Sequence, residues 1–504
     1  MIRTNKLLIR AILISSYLLL CAILVFLISG ILSYLNTGAD RSTLLHTQIH
    51  KETVYTPQLS WQDNGNEGRP ISQQVLNEVE NNYLDAWYIK QVAYRENKKT
   101  GIEDFYTKNA RKNLYASINN NAKNNTYIAA TTLSHQPDIL FYSEDGQLIV
   151  LEDKAVVEHK KVFQNKKQVL ETTEQSDYKH ILLLEDGFWR IRHSVKESTT
   201  PFIKKIKDTP ADSLQIKGIN YYPQETPWDM FGDDFDAQII ANDFELIKKT
   251  GLNTIRIFVP YEDFGKANLK EDKLEKLEQV LDIALKKQLK VVVTLFDFYG
   301  NYDVLDWTLT YKHARGIVTK FKDHNAILAW DLKNEPNLDF ASRGKQNVIS
   351  WLDYLLVLVK SIDETHPVTI GWSNVESATL LSDKLDYISF HYYEDIATFE
   401  EKFLALKKQI PNKPLILQEF GVSSYGGFWR PFASSETAQA NYHKPMQEIL
   451  ITNKLHFMSW TLYDFKEVPS SVVGKLPWRT NPQKKFGFID ADGKKKAAFE
   501  FICE

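Results

Sequence analysis

Two short acidic motifs contain the residues of this chain that are best suited to catalysis. Trp330–Asn337 includes Asn334 and Glu335, and Leu415–Gly421 includes Glu419. Each glutamate ends an apolar, strand-like run and stands directly before a turn. Two carboxyl groups held in that way can face each other across a sugar, one as acid and one as nucleophile, which is the minimum equipment for breaking a glycosidic bond. Asn334 adds a hydrogen-bond donor for a sugar hydroxyl.

The elements that must position these glutamates begin near residue 210, where short apolar strands alternate with amphipathic helices. The predicted strands are Gln215–Tyr221, Asn253–Val259, Lys290–Phe296, Ile327–Lys333, Val368–Trp372, Tyr387–His391, Leu415–Glu419 and His456–Tyr463. The predicted helices between them include Phe244–Thr250, Leu274–Lys287 and Ile349–Glu364. This alternation favours an α/β fold, a (β/α)8 TIM barrel at residues 210–504. An open doubly wound sheet would carry a glycine-rich phosphate turn after its first strand, and Gly218–Pro223 is not one.

The barrel prediction brings the two glutamates together. Active sites of such barrels lie at the carboxyl ends of the strands. Glu335 follows the fourth predicted strand, and Glu419 ends the seventh. Because these strands stand on opposite sides of an eight-stranded barrel, both side chains are expected to point into one cleft.

These motifs resemble clan A glycoside hydrolases, especially the cellulases and mannanases of glycoside hydrolase family 5, over residues 212–500. The resemblance implies that Glu335 is the acid/base, that Asn334 is its neighbouring asparagine and that Glu419 is the nucleophile. It also implies substrate-binding roles for four residues on or after other strands: Arg256, His391, Tyr393 and Trp460. Many family members carry a histidine near the end of strand three, whereas this chain has Asp297 there. The first strand also resembles the barrel of family 2 enzymes, so the exact family stays open at this point.

The resemblance implies a double displacement that retains the anomeric configuration. Glu419 should be ionised, since an arginine and a tyrosine hydroxyl nearby favour a carboxylate. Glu335 should be protonated at rest, helped by the negative charge of Glu419 and by partial burial. Carboxyl groups about 5–5.5 Å apart would fit retention. Asn334 would bind the 2-hydroxyl of the sugar. Neither a cofactor nor a metal ion is needed for this chemistry.

The N-terminal region has the pattern of a membrane anchor. Residues 1–10 contain three basic side chains and are predicted to be cytoplasmic, and residues 11–35 are uncharged. At about 1.5 Å per residue this stretch could cross a bilayer as a transmembrane helix, and it is longer than the apolar part of a signal peptide. We therefore expect a single-pass protein of the cell membrane with its catalytic domain on the periplasmic or extracellular side. Residues 36–69 are polar and are assigned as a linker.

Residues 70–205 are predicted to form a small α+β domain. One helix has an apolar face made by residues four positions apart: Val75, Val79, Tyr83 and Trp87. Asp-Gly pairs at 145–146 and 186–187 stand between apolar runs, which is a strong hairpin signal. Helices followed by an antiparallel meander resemble the cystatin and nuclear transport factor 2-like folds. The domain is interpreted as a spacer or as an interaction module that could bind a protein partner.

Composition argues against several other functions. The net charge is −3, so the chain has no basic field of the kind that nucleic-acid binding uses. Its two cysteines, Cys21 and Cys503, are not expected to form a disulfide. The sequence has no serine-hydrolase elbow, no phosphate loop and no His-Glu-x-x-His or Cys-x-x-Cys metal motif.

The sequence therefore predicts a membrane-anchored retaining β-glycoside hydrolase that cleaves O-glycosyl bonds in a β-glucan or β-mannan. Cleavage inside the polymer is expected from the family resemblance. Two alternatives stay open. A transglycosylase would use the same residues but pass the glycosyl group to a sugar, and elongated oligosaccharide products would identify it. A catalytically idle protein of polysaccharide binding or assembly would keep the fold without using the glutamate pair.

Overall fold

The described part of the chain contains two sheets. The computed structural model describes residues 15–17, 19–25, 27–28, 55–63, 65–202, 209–211, 214–426 and 435–503. Within these ranges, one sheet has six strands and the other closes into a barrel of eight strands. The predicted (β/α)8 barrel is therefore confirmed.

The first sheet is an antiparallel meander with two short parallel strands on one edge. Its strands are β1 (Gln58–Leu59), β2 (Glu67–Gly68), β3 (Thr126–Tyr142), β4 (Leu148–Gln164), β5 (Lys167–Glu185) and β6 (Phe188–Pro201). The helices of this part are α1 (Gln73–Glu96), α2 (Ile102–Phe105) and α3 (Lys108–Lys123). Helix α1 packs against β3 and β6 and buries Val79, Tyr83 and Trp87 in a common core. The likeness to the nuclear transport factor 2-like fold stays a prediction.

The two predicted hairpins of this sheet are present. Gly146 joins β3 to β4 with a φ of 74°, and Asp186 and Gly187 join β5 to β6 with φ values of 53° and 81°. These values lie in the left-handed region, which Asp and Gly adopt more readily than other residues. Strands β1 and β2, which come from the segment that the sequence assigns to the linker, both pair with β3.

The predicted transmembrane helix at residues 11–35 and the membrane localisation that depends on it are contradicted. Among the described residues, no helix combines the length and hydropathy that a membrane crossing requires. The described ranges leave out residues 1–14, which include the basic segment 1–10, and also residues 18, 26 and 29–54.

The barrel follows the order of the sequence. Its parallel strands are β7 (Lys217–Asn220), β8 (Thr254–Pro260), β9 (Lys290–Asp297), β10 (Ile327–Asn334), β11 (Val368–Trp372), β12 (Ile388–Tyr392), β13 (Leu415–Phe420) and β14 (His456–Ser459), and β14 pairs with β7 to close it. The helices of this part are α4 (Ala237–Lys249), α5 (Glu271–Lys286), α6 (Trp307–Phe321), α7 (Phe340–Arg343), α8 (Lys345–Ile362), α9 (Phe399–Gln409), α10 (Glu436–Thr452), α11 (Ser470–Val473) and α12 (Pro477–Gln483).

The hydrophobic pattern explains these elements. Every residue of β8 is buried, as expected for a parallel strand that is covered on both faces. Helix α5 buries Leu274, Leu277, Leu281 and Ala284, which recur at three- and four-residue spacing and so form one face of a helix. Helix α5 therefore covers the barrel with one apolar stripe and leaves its polar face to water.

The end of β10 departs from regular strand geometry where the first glutamate stands. The register between β10 and β11 shifts between Asp331 and Asn334, and such an irregularity re-aims the side chains that follow it. Glu335 then has φ 47° and ψ 48°, a left-handed conformation that glutamate seldom adopts. An uncommon backbone conformation of this kind is often found at functional sites.

Candidate active site

A cleft of about 380 Å³ opens where the barrel strands end, and we call it the rim cleft. Its walls are mainly acids, amides and aromatic rings: Tyr222, Trp228, Phe258, Asp297, Phe298, Asn334, Glu335, Tyr393, Glu419, Trp460, Val472, Gln483 and Phe486. Two larger cavities, of about 810 and 870 Å³, lie between the first sheet and the barrel and are lined by other residues. Because the rim cleft holds both glutamates, it is the candidate active site.

The two candidate catalytic glutamates face each other across the rim cleft. One carboxylate oxygen of Glu335, one of Glu419 and a ring nitrogen of His391 all lie within 4.8 Å of one another. The side chains of Glu335 and Glu419 are 20% and 10% exposed, so both reach solvent only through the cleft. Carboxylate oxygens this close fit a retaining pair better than an inverting one, whose carboxyl groups stand about 6.5–9.5 Å apart.

Glu419 is held by two donors that favour its negative charge. Arg256 Nη1 donates to Glu419 Oε2 at 3.2 Å, and the Tyr393 hydroxyl donates to Oε1 at 2.6 Å. Tyr393 is 42% exposed as a whole, but burial of its hydroxyl and the negative charge of Glu419 raise its pKa well above the ordinary value for tyrosine. Tyr393 therefore keeps its proton and remains a hydrogen-bond donor.

Arg256 links Glu419 to the rest of the site through a buried polar cluster. Its Nε and Nη2 donate to Asp331 Oδ2 at 3.0 and 2.6 Å, and its Nη2 also donates to Asn334 Oδ1 at 2.9 Å. Its Nη1 donates to Asn220 Oδ1 at 3.0 Å. Burial opposes the charge on Arg256, but Asp331 and Glu419 outweigh it and raise the pKa of the guanidinium. Removing one partner of such a buried pair typically costs about 3–5 kcal/mol, so the cluster is a rigid frame for the site.

Glu335 has a different set of partners. The fully buried His391 places its Nδ1 2.9 Å from Glu335 Oε1 and 3.6 Å from Glu419 Oε2. Asn334 precedes Glu335 and, with its Oδ1 occupied by Arg256, presents its amide nitrogen as the donor for a ligand. The two glutamates therefore differ in the partners described here, because Glu419 accepts from the cationic guanidinium of Arg256 and Glu335 is paired with His391.

A divalent cation could also use the spacing of Glu335, His391 and Glu419. However, both oxygens of Glu419 already accept hydrogen bonds, one of them from a guanidinium that would repel a cation. The donor set fits a pair of carboxyl groups with distinct chemical roles better than it fits a metal centre.

Comparison with known proteins identifies the family of the barrel. Residues 207–466, just over half of the chain, match the family model named Cellulase (glycosyl hydrolase family 5). The chain belongs to glycosyl hydrolase family 5.

The individual relatives are distant in sequence from this family 5 chain. Each of them is longer than the region that aligns with it. β-Glucuronidase of Rattus norvegicus is 24% identical over 301 residues, which are 56% of this chain and 43% of that protein. Mannan endo-1,4-β-mannosidase 5 of Solanum lycopersicum is 28% identical over 171 residues, 25% of this chain and 40% of that protein. The chain thus spans about two fifths of the length of these curated relatives. A solved exo-β-1,4-mannosidase from Opitutaceae bacterium strain TAV5 matches with a TM-score of 0.47 and 17% identity, over 59% of this chain and 60% of that chain.

The aromatic wall of this family 5 cleft is larger than the sequence predicts. Trp460 lines the cleft, as expected, and is 7% exposed. Trp228 lies 5.9 Å from it between ring centroids, and Tyr222 also lines the wall. Its neighbour Tyr221 is fully buried and donates to Asp243, outside the cleft.

Asp331 and Asp297 complete the acidic residues of this region. Asp331 was not singled out from the sequence, although an acid inside the apolar run of β10 is a recognisable signal of a buried ion pair. Asp297 ends β9, where many family 5 members carry a histidine, and its Oδ2 accepts a hydrogen bond of 3.2 Å from Tyr222. The rim cleft therefore holds three carboxyl groups, and Asp297 is the one without an assigned catalytic role.

Gly371 provides the space in which Arg256 and His391 meet. A Cβ at this position would lie 2.8 Å from Arg256 Nη2, 3.2 Å from His391 Nε2 and 2.7 Å from Gln418 Oε1. All three neighbours are buried and cannot move aside freely. We expect Gly371→Ala to displace the site by a fraction of an ångström or more and to lower kcat/KM by about 100-fold.

Steady-state kinetics on an aryl glycoside would measure this effect, with thermal unfolding as a check on folding. Gly493→Ala serves as a control for lost stability without a clash in the site, because its Cβ would meet no atom within 4 Å while its φ of 81° disfavours alanine. Equal activity of the Gly371→Ala variant and the wild type would show that the site tolerates the extra methyl group.

Proposed function

We propose that the chain is a retaining β-glycoside hydrolase that works by double displacement. The observation that carries this proposal is the pair of facing glutamates, whose oxygens lie within 4.8 Å of each other, with those of Glu419 accepting from Arg256 and Tyr393. In this proposal, Glu419 attacks the anomeric carbon while Glu335 protonates the departing oxygen. Glu335 then takes a proton from water. The water oxygen attacks the anomeric carbon, breaks its bond to Glu419 and releases the sugar.

The other residues of the rim cleft have supporting roles in this proposal. The amide nitrogen of Asn334 binds the 2-hydroxyl, where a hydrogen bond strengthens as the transition state forms. His391 fixes the carboxyl group of Glu335, and Arg256 and Tyr393 fix that of Glu419. Trp460 forms a flat platform for the sugar ring.

A β-linked glucan or mannan, as polymer or oligosaccharide, is the substrate that we propose. Support comes from the family that the barrel belongs to and from the mannosidase among its distant relatives. The β-glucuronidase among the relatives makes glucuronides the natural comparison substrate. We also propose that residues 70–205 and 210–504 are separate domains.

A mechanism-based label tests this function directly. Activated 2-fluoro-glycosides of glucose and mannose should form a stable glycosyl-enzyme, which adds the mass of one fluorosugar to the intact protein. Peptide mapping should place the label on Glu419, and the Glu419→Ala variant should remain unlabelled. The sugar that labels fastest identifies the preferred substrate. No labelling by any sugar, together with no cleavage of a broad glycan panel, would contradict the proposal and favour a binding role.

Asp297 is expected to contact a sugar hydroxyl. Hydrogen bonds to charged groups contribute about 1.5–3 kcal/mol, and so Asp297→Asn should lower kcat/KM for the preferred glycoside by about 10–100-fold. The Asn variant keeps an oxygen that can accept from Tyr222, so the local structure should persist. Kinetics on glycosides that lack one hydroxyl at a time would locate the contact, because the deoxy sugar that loses it should be insensitive to the substitution. Unchanged kcat/KM for every sugar would show that Asp297 does not touch the substrate.

A further inference from the structure

The first sheet contacts the barrel at the start of α6. Trp307, the first residue of this helix, is fully buried. His159 of β4 stacks on its indole with ring centroids 4.3 Å apart and an angle of 29° between the planes. Tyr354 of α8 stacks on the same indole at 4.8 Å and 15°. An ion pair between Arg95 of α1 and Asp303 joins the first sheet's part of the chain to the residues just before Trp307.

His159 acts in this contact as a flat, neutral ring. Burial is the main cause that lowers the pKa of His159 to about 3; the nearby Lys161 acts in the same sense and Glu171 against it. A hydrogen bond of 2.9 Å between His159 Nδ1 and Thr173 Oγ1 fixes the orientation of the ring. An uncharged aromatic side chain could therefore replace its stacking function.

A short series of contacts leads from Trp307 to the candidate acid/base. Trp307 Nε1 donates to the carbonyl oxygen of Tyr302 at 3.4 Å. The Tyr302 hydroxyl donates to the carboxylate of Asp339. Asp339 ends the 3₁₀ turn that begins directly after Glu335. Glu335 directly precedes this turn and has a φ of 47°, so a shift of the turn is expected to move its carboxyl group.

The residues that precede Trp307 in the chain begin in the rim cleft. Asp297 and Phe298 line the cleft, and residues 298–306 then run to Trp307. This segment, the 298–306 segment, is therefore held at one end by the cleft and at the other by the first sheet. Tyr302 lies between the two ends and is 4% exposed.

We propose that His159 is a positioning residue for Glu335. By stacking on Trp307, the ring from the first sheet holds the 298–306 segment, and through Tyr302 and Asp339 it holds the turn that follows the acid/base. The inference rests on the proposed function, because it assigns the first sheet a part in that reaction. Position matters here because a misplacement of about 1 Å can cost about 100-fold in rate.

Substrates with different leaving groups separate this role from a structural one. The dinitrophenolate of a 2,4-dinitrophenyl glycoside departs without protonation. The alcohol of the matching alkyl glycoside departs only with the proton of Glu335. We expect His159→Ala to lower kcat/KM for the alkyl glycoside about tenfold more than for the dinitrophenyl glycoside. His159→Phe keeps a flat ring and should restore the wild-type ratio between the two substrates. A protein that is only partly folded would lose activity on both substrates equally.

Tyr127→Ala is the matched control, because Tyr127 stacks on Phe163 at 4.6 Å in the same sheet and is not part of the contact series. It should leave the ratio unchanged. If the wild type cleaves the dinitrophenyl glycoside and His159→Ala keeps the wild-type ratio of kcat/KM between the two substrates, the positioning role is overturned. The proposed function would still stand. A wild type that cleaves neither substrate would overturn both.

Discussion

Glu419→Ala is expected to lower kcat by about 10⁴-fold or more on every glycoside, since loss of a covalent nucleophile costs about 10⁶-fold in a well-studied hydrolase. Without the carboxylate, no glycosyl-enzyme can form, and Arg256 and Tyr393 lose the group to which they donate. Acid catalysis by Glu335 remains. Sodium azide should therefore restore turnover of an activated β-glycoside by taking the place of the carboxylate, and the product should be the glycosyl azide of inverted configuration.

Nuclear magnetic resonance of the azide product would settle its configuration, and stopped assays would measure kcat. Glu376→Ala is the matched control, because Glu376 is an exposed glutamate of the same barrel that pairs with Lys402. It should retain full activity. Activity of Glu419→Ala within tenfold of the wild type would exclude Glu419 as the nucleophile.

Glu335→Ala is expected to give the second largest loss, about 10²–10⁴-fold in kcat/KM for unactivated glycosides, which is the usual contribution of a general acid. Dinitrophenyl glycosides should be affected far less in the first step, because their leaving group needs no proton. The glycosyl-enzyme should then accumulate, since no base activates the water that releases the sugar. Azide, which needs no base, should react with this intermediate and give a product of retained configuration.

A burst of dinitrophenol followed by slow turnover would show the accumulated intermediate, and intact mass would identify it. His391 offers a control for position rather than proton transfer, because His391→Asn removes the contact with Glu335 while leaving the acid in place. Its effect should be smaller than that of Glu335→Ala on the alkyl substrate. Equal losses on activated and unactivated substrates in Glu335→Ala would argue against an acid/base role.

That the two candidate glutamates share one cleft could be predicted from the sequence because the signal is local. Each glutamate follows an apolar run that is long enough for one strand, and parallel pairing brings strand ends to one rim. Arg256 on β8, by contrast, donates to Asp331 on β10, two strands further along the barrel. A contact between residues 75 positions apart produces no spacing pattern in the sequence. The strand register also decides that Tyr222 lines the cleft and that Tyr221 does not, since a shift of one residue moves a side chain to the other face.

Two other features depend on information that is not local. Strands β1 and β2 are short and polar, and they become strands only because β3 offers an unpaired edge. The apolar run near the N terminus predicted a membrane helix from composition alone, and the described residues do not contain such a helix.

The stack of His159 on Trp307 also affects how the chain can be divided. A truncated protein that starts at the barrel would lack His159 and would leave part of a large indole open to water. Such exposed apolar surface favours aggregation, and burying a side chain of this size is normally worth about 1.5–3 kcal/mol. Expression of the barrel alone would therefore need a polar replacement at Trp307. For the same reason, loss of the first sheet in evolution would need a change in α6 that removes the exposed indole of Trp307.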